Sequence, residues 1–305
     1  MTHWPSLPYE AWRDTYETLH MWTQIVGKIR LARMPWMNHC WHVALYVNAT
    51  GLTTAAMPHG GQSFQIDFDF VAHELIIRTS RGDRRAIALR PMSVADFYRS
   101  TMQALEDLEV PVSIHRRPCE VERAIPFDED TEHRSYDAQY AHRCWRILSR
   151  AAPVFHRFRS RFCGKASPVH FFWGSFDLAA TRFSGRVAPP HPGGFPNMPD
   201  RVTREAYSHE ESSCGFWPGG AAAPYPLFYS YAYPEPEGFA RSRVQPAAAR
   251  YDGTLHEFVL PYDAMREAES PEETLLAFLQ SSYEAAAESA KWDRHSLEVA
   301  SQPFE

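Results

Sequence analysis

The sequence predicts an α+β protein, in which a mainly antiparallel sheet packs against helices. Three observations predict this class. Long segments carry apolar residues at helical spacing, shorter segments alternate apolar and polar residues, and the order of these segments recurs in the second half of the chain. The recurrence predicts two fused repeats of helix, strands and helix, over residues 1–125 and 126–305, within one integrated globular unit.

The first half begins with a helix predicted over residues 9–28. Trp12, Tyr16 and Leu19 recur at helical spacing and would face the core. We expect Gly27 to end this helix, because glycine readily adopts the left-handed conformation that is common at helix C-termini.

Several strands are predicted to follow this helix. The alternation is clearest over residues 64–70, where Phe64 and Ile66 share one face and Asp67 lies on the other, as in a half-solvated antiparallel strand. Ser93 then forms a capping-box pattern that predicts a helix through about residue 108. The predicted strands of this half are 41–50, 64–70, 75–79 and 85–89.

The second half repeats this order. A helix is predicted over residues 138–162, bent at Pro153 because proline lacks the backbone donor. Ser270 and Pro271 predict the start of a final helix, as cap residue and first-turn proline. The predicted strands of this half are 169–178, 213–217, 227–233 and 256–260.

Composition and charge exclude several classes of protein. The net charge of −6 gives no general attraction for nucleic acid or for an anionic membrane. No apolar run approaches the roughly 20 residues of a membrane span, and no secretory signal is visible. The five cysteines are odd in number and lack a CxxC pair, which argues against a disulfide framework. We therefore expect a cytoplasmic protein that binds neither nucleic acid nor membrane.

The segment 167–178 is the most unusual in the chain, because it is apolar on both faces of a predicted central strand. His170 and Asp177 would lie on opposite faces of a regular strand, but a bulge at Gly174 would bring them to the same side. There they could act as base and orienting acid, or as metal ligands. The alternative is a core histidine bonded to backbone and an aspartate that caps the next turn.

Other side chains near this segment could bind a ligand. Arg182 and Arg186 flank a Ser-Gly turn, where they could hold a carboxylate or phosphate or could instead be solvated or paired with acids. Tyr231 shares a strand face with two more tyrosines, which either line a pocket or cover a half-wet sheet. His209 stands beside two glutamates, although no nucleophile elbow accompanies it.

Two further stretches leave alternatives open. A basic run between Arg143 and Lys165 is either the solvated side of a helix or a site for an anion or a partner. The Pro- and Gly-rich stretch 189–199 lies within a long loop over 187–206, and it could be a lid that carries His191 or a disordered excursion.

No motif identifies a cofactor. The chain contains no phosphate-binding glycine loop, Rossmann fingerprint or kinase signature. A dispersed metal site could be assembled from histidines, but no ligand spacing supports it, so we assign no metal ligand. The cofactor and the oligomeric state stay unassigned.

Four strings carry a resemblance to a known family. They are residues 22–28, 168–178, 215–219 and 260–262. They resemble a bacterial family that is classified only as a domain of unknown function, and the resemblance covers nearly the whole chain. It implies a bacterial cytoplasmic setting and one integral unit, and it implies no catalytic residue.

The leading hypothesis is an enzyme that acts on a small anionic or aromatic molecule in a pocket. Histidine would transfer the proton, Asp177 would orient it and Arg182 would clamp the anion. The alternatives are a non-catalytic protein that binds a small molecule or a partner, and a metal-dependent enzyme. The predicted catalytic residues are His170, Asp177 and His209, and the predicted ligand-binding residues are Trp173, Arg182, Arg186 and Tyr231.

Overall fold

A computed structural model describes residues 4–221 and 223–299. Within them, seven α-helices and two six-stranded antiparallel sheets confirm the predicted α+β class. The helices are α1 (Tyr9–Arg33), α2 (Val94–Asp107), α3 (Ala138–Ser160), α4 (Asp200–Ala206), α5 (Tyr262–Arg266), α6 (Pro271–Ser289) and α7 (Arg294–Leu297). The strands are β1 (Tyr46–Val47), β2 (Gly51–Thr53), β3 (Met57–His59), β4 (Gln62–Asp69), β5 (Glu74–Thr79), β6 (Arg84–Ala88), β7 (His170–Phe172), β8 (Asp177–Val187), β9 (His209–Trp217), β10 (Leu227–Tyr233), β11 (Arg250–Asp252) and β12 (Glu257–Pro261).

The first sheet has the strand order β1-β2-β4-β5-β6, with β3 also paired to β4. Its apolar face packs against α1 and α2, as the alternation in β4 predicts. The rings of Trp22 from α1 and Phe97 from α2 stack at 4.6 Å, and Phe68 from β4 lies 6.3 Å from Phe97. The Ser93 cap is confirmed, because its side chain accepts the backbone N–H of Asp96.

The second sheet has the order β11-β12-β10-β9-β8-β7. Helices α3 and α6 cover one face, where the ring of Phe155 lies 6.4 Å from that of Phe228. Two backbone hydrogen bonds between Leu45 and Phe171, of 2.9 and 2.7 Å, join the edges of the two sheets. The second sheet therefore has one helix-covered face and one face turned away from the helices, which we call the outer face.

Three predicted boundaries are wrong. Helix α1 continues through Gly27 to Arg33, and the predicted strand at 41–50 shrinks to the two residues of β1. The predicted strand at 169–178 is a hairpin of β7 and β8. Helix α6 begins at Pro271 as expected, but no side-chain hydrogen bond caps it.

The two halves share the order helix, sheet and helix. Their strand orders differ, however, because β3 of the first sheet lies off the main path and the second sheet is a single path. The internal repeat therefore stays a prediction. Among the described residues, no helix is both long enough and apolar enough to span a bilayer.

Gly27 has a packing role that explains why the helix passes through it. A Cβ at this position would lie 2.2 Å from the indole ring of Trp173, far inside van der Waals contact. Glycine is tolerated in the helix interior because it lets the hairpin turn that carries Trp173 approach α1.

Replacing Gly27 by alanine is therefore expected to lower the free energy of unfolding by about 1–3 kcal/mol, since overpacking forces the ring and the backbone apart. Chemical denaturation measures this loss. Gly61→Ala is the matched control, because a Cβ at Gly61 would meet no atom within 4 Å. Equal stability of the two variants would contradict the packing role of Gly27.

Candidate functional site

The β7–β8 hairpin places His170 and Asp177 on the same face of the second sheet. His170 pairs with Ala179, and Phe172 pairs with Asp177, so all four side chains point to the outer face. A hairpin turn produces this arrangement, and the predicted bulge at Gly174 is wrong. No hydrogen bond joins the two side chains among the described residues.

His170 is fully buried against aromatic rings. Its ring centroid lies 4.4 Å from that of Phe172 and 6.4 Å from that of Trp41. Desolvation lowers the pKa of His170 to about 3, so the imidazole is neutral at physiological pH. Neither ring nitrogen has a hydrogen-bond partner, which is unusual for a buried polar group.

Asp177 is held by two hydroxyl groups. The Ser175 Oγ donates to one carboxylate oxygen and the Tyr229 Oη donates to the other. Asp177 is only 5% exposed, and desolvation raises its pKa although both hydrogen bonds favour the charged form. The carboxylate therefore lies in a poorly solvated place and is fixed in orientation.

Asp177 belongs to a larger group that the alternation of the strands assembles. Strand β9 contributes Glu211, and strand β10 contributes Tyr229 and Tyr231. Strand β12 contributes Glu257, which lies two residues before Val259, the partner of Tyr229. Residues outside the sheet complete the group. We call it the acid–tyrosine cluster, and it comprises Glu120, Asp177, Glu211, Glu257, Tyr207, Tyr229 and Tyr231.

Three glutamates of this cluster have pKa values near neutrality. Desolvation, with a contribution from the Asp177 charge, raises the pKa of Glu120 to about 7. The same two causes, followed by Asp252, raise the pKa of Glu257 to about 8. Desolvation raises the pKa of Glu211 to about 8 as well. The Asp177 charge therefore repels the charged forms of Glu120 and Glu257, and all three glutamates are short of water.

In the part of the chain that the structure describes, these acids lack an ion-paired cation. Among the described residues, none of the four carboxyl groups of the cluster forms an ion pair within 4.0 Å. Lys165 is the cation that acts on Glu211, and it lowers the pKa of that carboxyl less than desolvation raises it. The cluster is thus a concentration of acid without a counter-charge of its own.

The tyrosines of the cluster form a connected layer. The rings of Tyr229 and Tyr231 stack with centroids 6.1 Å apart, and the Tyr207 and Tyr231 hydroxyl oxygens lie 3.0 Å apart. Gly215 makes room for this layer, because a Cβ there would lie 2.2 Å from the Tyr229 ring. The tyrosine rings therefore lie across the strands.

Chain segments outside the sheet complete the cluster. The Glu120 N–H donates to Pro196 O at 2.7 Å, and the His191 ring lies 4.6 Å from the ring of Tyr207. Gly174 admits the Glu120 carboxyl, since a Cβ there would lie 1.9 Å from Glu120 Oε1. The Pro- and Gly-rich stretch therefore packs beside the cluster and carries His191 against it.

Arg182 lies away from this cluster, on the helix-covered face. Its guanidinium carbon is 3.6 Å from the centroid of Phe158 and 4.2 Å from that of Tyr283, and the residue is 1% exposed. It donates to Phe158 O. The expectation that Arg182 shares a cavity with Asp177 is wrong, because alternation along β8 turns their side chains to opposite faces.

The other predicted ligand-binding residues have distinct placements. Arg186 is exposed and forms an ion pair of 2.5 Å with Glu210. Trp173 is buried and donates its Nε1–H to Val43 O at 2.8 Å, which anchors the hairpin turn. Tyr231 lies in the cluster, as described above.

His209, the third predicted catalytic residue, lies toward the other end of the outer face. Its ring centroid is 5.6 Å from that of His39, and its Nδ1 is 3.1 Å from Ser208 Oγ. His39 in turn contacts Lys165. The structure therefore groups His209 with a Lys165–His39 pair and leaves it apart from Asp177.

No metal site is evident in the described part of the chain. There, no three His, Cys, Asp or Glu side chains have an arrangement that could hold a metal ion. All five cysteines are free thiols. The Asp177 charge reaches Glu120 and Glu257, but the described carboxyls of the acid–tyrosine cluster do not form such a set.

The basic run of α3 lines a separate groove of about 700 Å³. Arg146, Arg150 and Arg157 lie along it, together with His142 and Trp145. Arg157 is paired with a glutamate of α6, and Arg150 lies over the ring of Trp4. The groove is therefore open and basic, in contrast to the acid–tyrosine cluster.

Sequence reasoning missed several residues of the site. Glu211 could have been found from Tyr231, which was predicted, because β9 and β10 pair and place alternate residues on one face. Glu257 opens a strand that was expected to begin one residue earlier. Glu120 lies in an irregular segment, where no periodicity indicates its neighbours.

The fold and this cluster define a class of protein, namely an α+β protein of two antiparallel sheets with a candidate site lined by carboxyls and tyrosines. Residues 4–299 match the model of a family described as a family of unknown function (DUF5996). The chain belongs to this family, which confirms the resemblance found in the sequence. Neither the search of curated proteins nor the search of solved structures gave a significant match.

Proposed function

We propose that this protein binds a small organic cation, such as an alkylammonium group, in the acid–tyrosine cluster. One observation supports the proposal above all others: four poorly solvated carboxyl groups lie together without an ion-pair partner in the described chain. Burying charges of one sign is unfavourable, so such carboxyls keep their protons near neutral pH unless a partner of opposite charge compensates them. A cationic ligand would supply that compensation.

The aromatic rings favour the same ligand class. A cation that lies over the face of a tyrosine ring is attracted by the ring quadrupole, more strongly when water is excluded. Tyr229 and Tyr231 offer stacked rings beside Asp177 and Glu211. Hydroxyl groups on the tyrosines could also accept hydrogen bonds from an ammonium group.

An anionic ligand, which the sequence suggested, finds little support in this geometry. Arg182 lies on the opposite face, and Arg186 is paired with Glu210. Two acids, Glu120 and Glu257, border Asp177 and would repel an anion. An aromatic group on the ligand stays compatible with the site, because the tyrosine rings lie in the cluster.

Three probes with the same four-carbon skeleton test the proposal: the dication putrescine, neutral 1,4-butanediol and the dianion succinate. Isothermal titration calorimetry on the full chain is expected to detect putrescine alone. Binding of succinate in preference to putrescine would overturn the proposal, and so would equal binding of putrescine and butanediol.

Affinity for putrescine is expected to rise with pH. The pKa values of about 7 for Glu120 and about 8 for Glu257 mean that these carboxyls lose their protons as the pH rises through that range. Only the ionised forms attract a cation, so affinity increases between about pH 6 and about pH 9 and then levels off. Calorimetry across this range measures the change, and an affinity independent of pH would contradict it.

A second candidate is an enzyme that uses these carboxyls for proton transfer. General acids and bases work best when their pKa lies near the working pH, as it does for Glu120, Glu211 and Glu257. Proton NMR of an amine mixture incubated with the protein would reveal turnover as the loss of one set of signals. If the amine signals are still lost with a Glu257→Gln variant, a role for that carboxyl is ruled out.

A cytoplasmic location for either function stays a prediction.

A further inference from the structure

Lysine is rare in this chain. Only three of the 31 basic Lys and Arg residues are lysines: Lys28, Lys165 and Lys291. Arginine cannot lose its proton in a protein, whereas lysine can become a neutral nucleophile. Lys28 is buried against the ring of Trp173, whereas Lys165 and Lys291 are exposed.

Lys165 has a histidine as its hydrogen-bond partner. Its Nζ lies 2.6 Å from His39 Nε2. His39 Nδ1 lies 2.8 Å from Ala206 O, so Nδ1 carries the proton and Nε2 presents a lone pair to the lysine. The ammonium group therefore donates to a neutral base, and no carboxylate of the described chain forms an ion pair with it.

The surroundings of this pair are aromatic. The Lys165 Nζ lies 5.6 Å from the ring centroid of Trp41 and 5.1 Å from that of Phe183. Desolvation lowers the pKa of Lys165, while Glu205 and Glu211 act in the opposite direction. The pKa of His39 is lowered too. Burial is the main cause, and the nearby His209 adds a smaller lowering effect, while Glu205 acts in the opposite direction.

The backbone that carries His39 is held in a costly conformation. His39 and Cys40 have φ values of 54° and 56°, in the left-handed region that residues other than glycine rarely adopt. Such residues persist only where the surrounding structure fixes them, and they concentrate at functional sites. Here the conformation fixes the imidazole between Ala206 and Lys165.

We infer that Lys165 is a nucleophilic amine that forms an imine with an aldehyde or ketone, and that His39 positions and deprotonates it. His39 Nε2 takes a proton from the ammonium group, and the free amine attacks the carbonyl carbon to give a carbinolamine. His39 returns the proton to the carbinolamine hydroxyl, the C–O bond breaks, and water leaves. The products are a protonated imine and one molecule of water, so atoms and charge balance.

This site is independent of the proposed cation binding. Lys165 and His39 lie at the Phe183 end of strand β8, whereas Asp177 begins that strand. Glu211 belongs to the cluster and acts on Lys165, but no step of the imine reaction uses its carboxyl group. Failure of one proposal therefore leaves the other standing.

Reductive trapping tests the inference. The full chain is incubated with acetaldehyde and cyanoborohydride at neutral pH, and peptide mapping quantifies labelling at each lysine and at the N-terminal amine. Lys165 and Lys291 are both exposed, but only Lys165 has a base beside it, so Lys165 is expected to react at least about tenfold faster. Equal or faster labelling of Lys291 would overturn the inference.

Two variants separate the roles. Lys165→Arg is expected to remove the fast adduct while Lys291 is labelled as before. His39→Phe keeps a ring beside Phe183 but removes the base, and it is expected to slow labelling of Lys165 at least about tenfold without affecting Lys291. In the unaltered chain, labelling of Lys165 should persist to lower pH than that of Lys291. An unchanged rate in His39→Phe, or identical pH profiles for the two lysines, would contradict the role of His39.

Discussion

As the pH rises from about 5 to about 9, the unaltered protein is expected to lose about 4–5 kcal/mol of unfolding free energy that a Glu211→Gln variant keeps. Burial raises the pKa of Glu211 from 4.5 to about 8, and Glu211 is only 4% exposed. The folded state therefore holds this proton more tightly than the unfolded state. Its stabilising effect is full below the unfolded pKa of 4.5 and is lost as the pH rises to about 8.

Glutamine resembles the protonated form of Glu211 and cannot ionise. The unfolding free energy of the Glu211→Gln variant should therefore lack this pH dependence. Urea denaturation at several pH values measures both proteins. Glu106→Gln removes an exposed acid of α2 and serves as the matched control, whose curve should follow the unaltered protein. Parallel curves for Glu211→Gln and the unaltered protein would show that Glu211 has an ordinary environment.

The double variant Glu120→Gln, Glu257→Gln is expected to bind putrescine at least about a hundredfold more weakly at pH about 9. A hydrogen bond to a charged group contributes about 1.5–3 kcal/mol, and 1.4 kcal/mol corresponds to a tenfold change in affinity. The Asp177 charge acts on both carboxyls, so both border the same site. Calorimetry with putrescine measures the loss.

The single variants should each lose about tenfold or more, and Glu106→Gln should bind as the unaltered protein does. Thermal unfolding at about pH 5, where the carboxyls are protonated, checks that the double variant is folded. A folded double variant that binds putrescine with unchanged affinity would remove the cluster as the binding site.

The fold was predictable where local patterns agree with the tertiary structure. Strand β4 alternates cleanly and helix α2 carries its own cap, and both lie where expected. The prediction that Gly27 ends helix α1 was wrong because Gly27 packs against Trp173. A residue pattern within one helix cannot reveal this contact. The hairpin of β7 and β8 was read as one strand because both arms are apolar.

The site was predictable only in part, for a related reason. Asp177 and Tyr231 fall on the outer face, but predicting their neighbours requires the order in which strands pair. Arg182 was assigned to the same pocket because it is close in sequence, whereas strand alternation turns it into the core beside Phe158. Glu120 comes from an irregular segment whose position depends on contacts with distant residues such as Pro196.

The central claim is that acids lie together on the outer face without a compensating charge until a cation binds. NMR titration of ¹³C-labelled glutamate side chains, assigned with the three single Gln variants, tests it most directly. We predict that Glu120, Glu211 and Glu257 titrate near pH 7 to 8, and that saturating putrescine lowers these pKa values. Titration of all three at the ordinary glutamate value of about 4.3 would contradict the account.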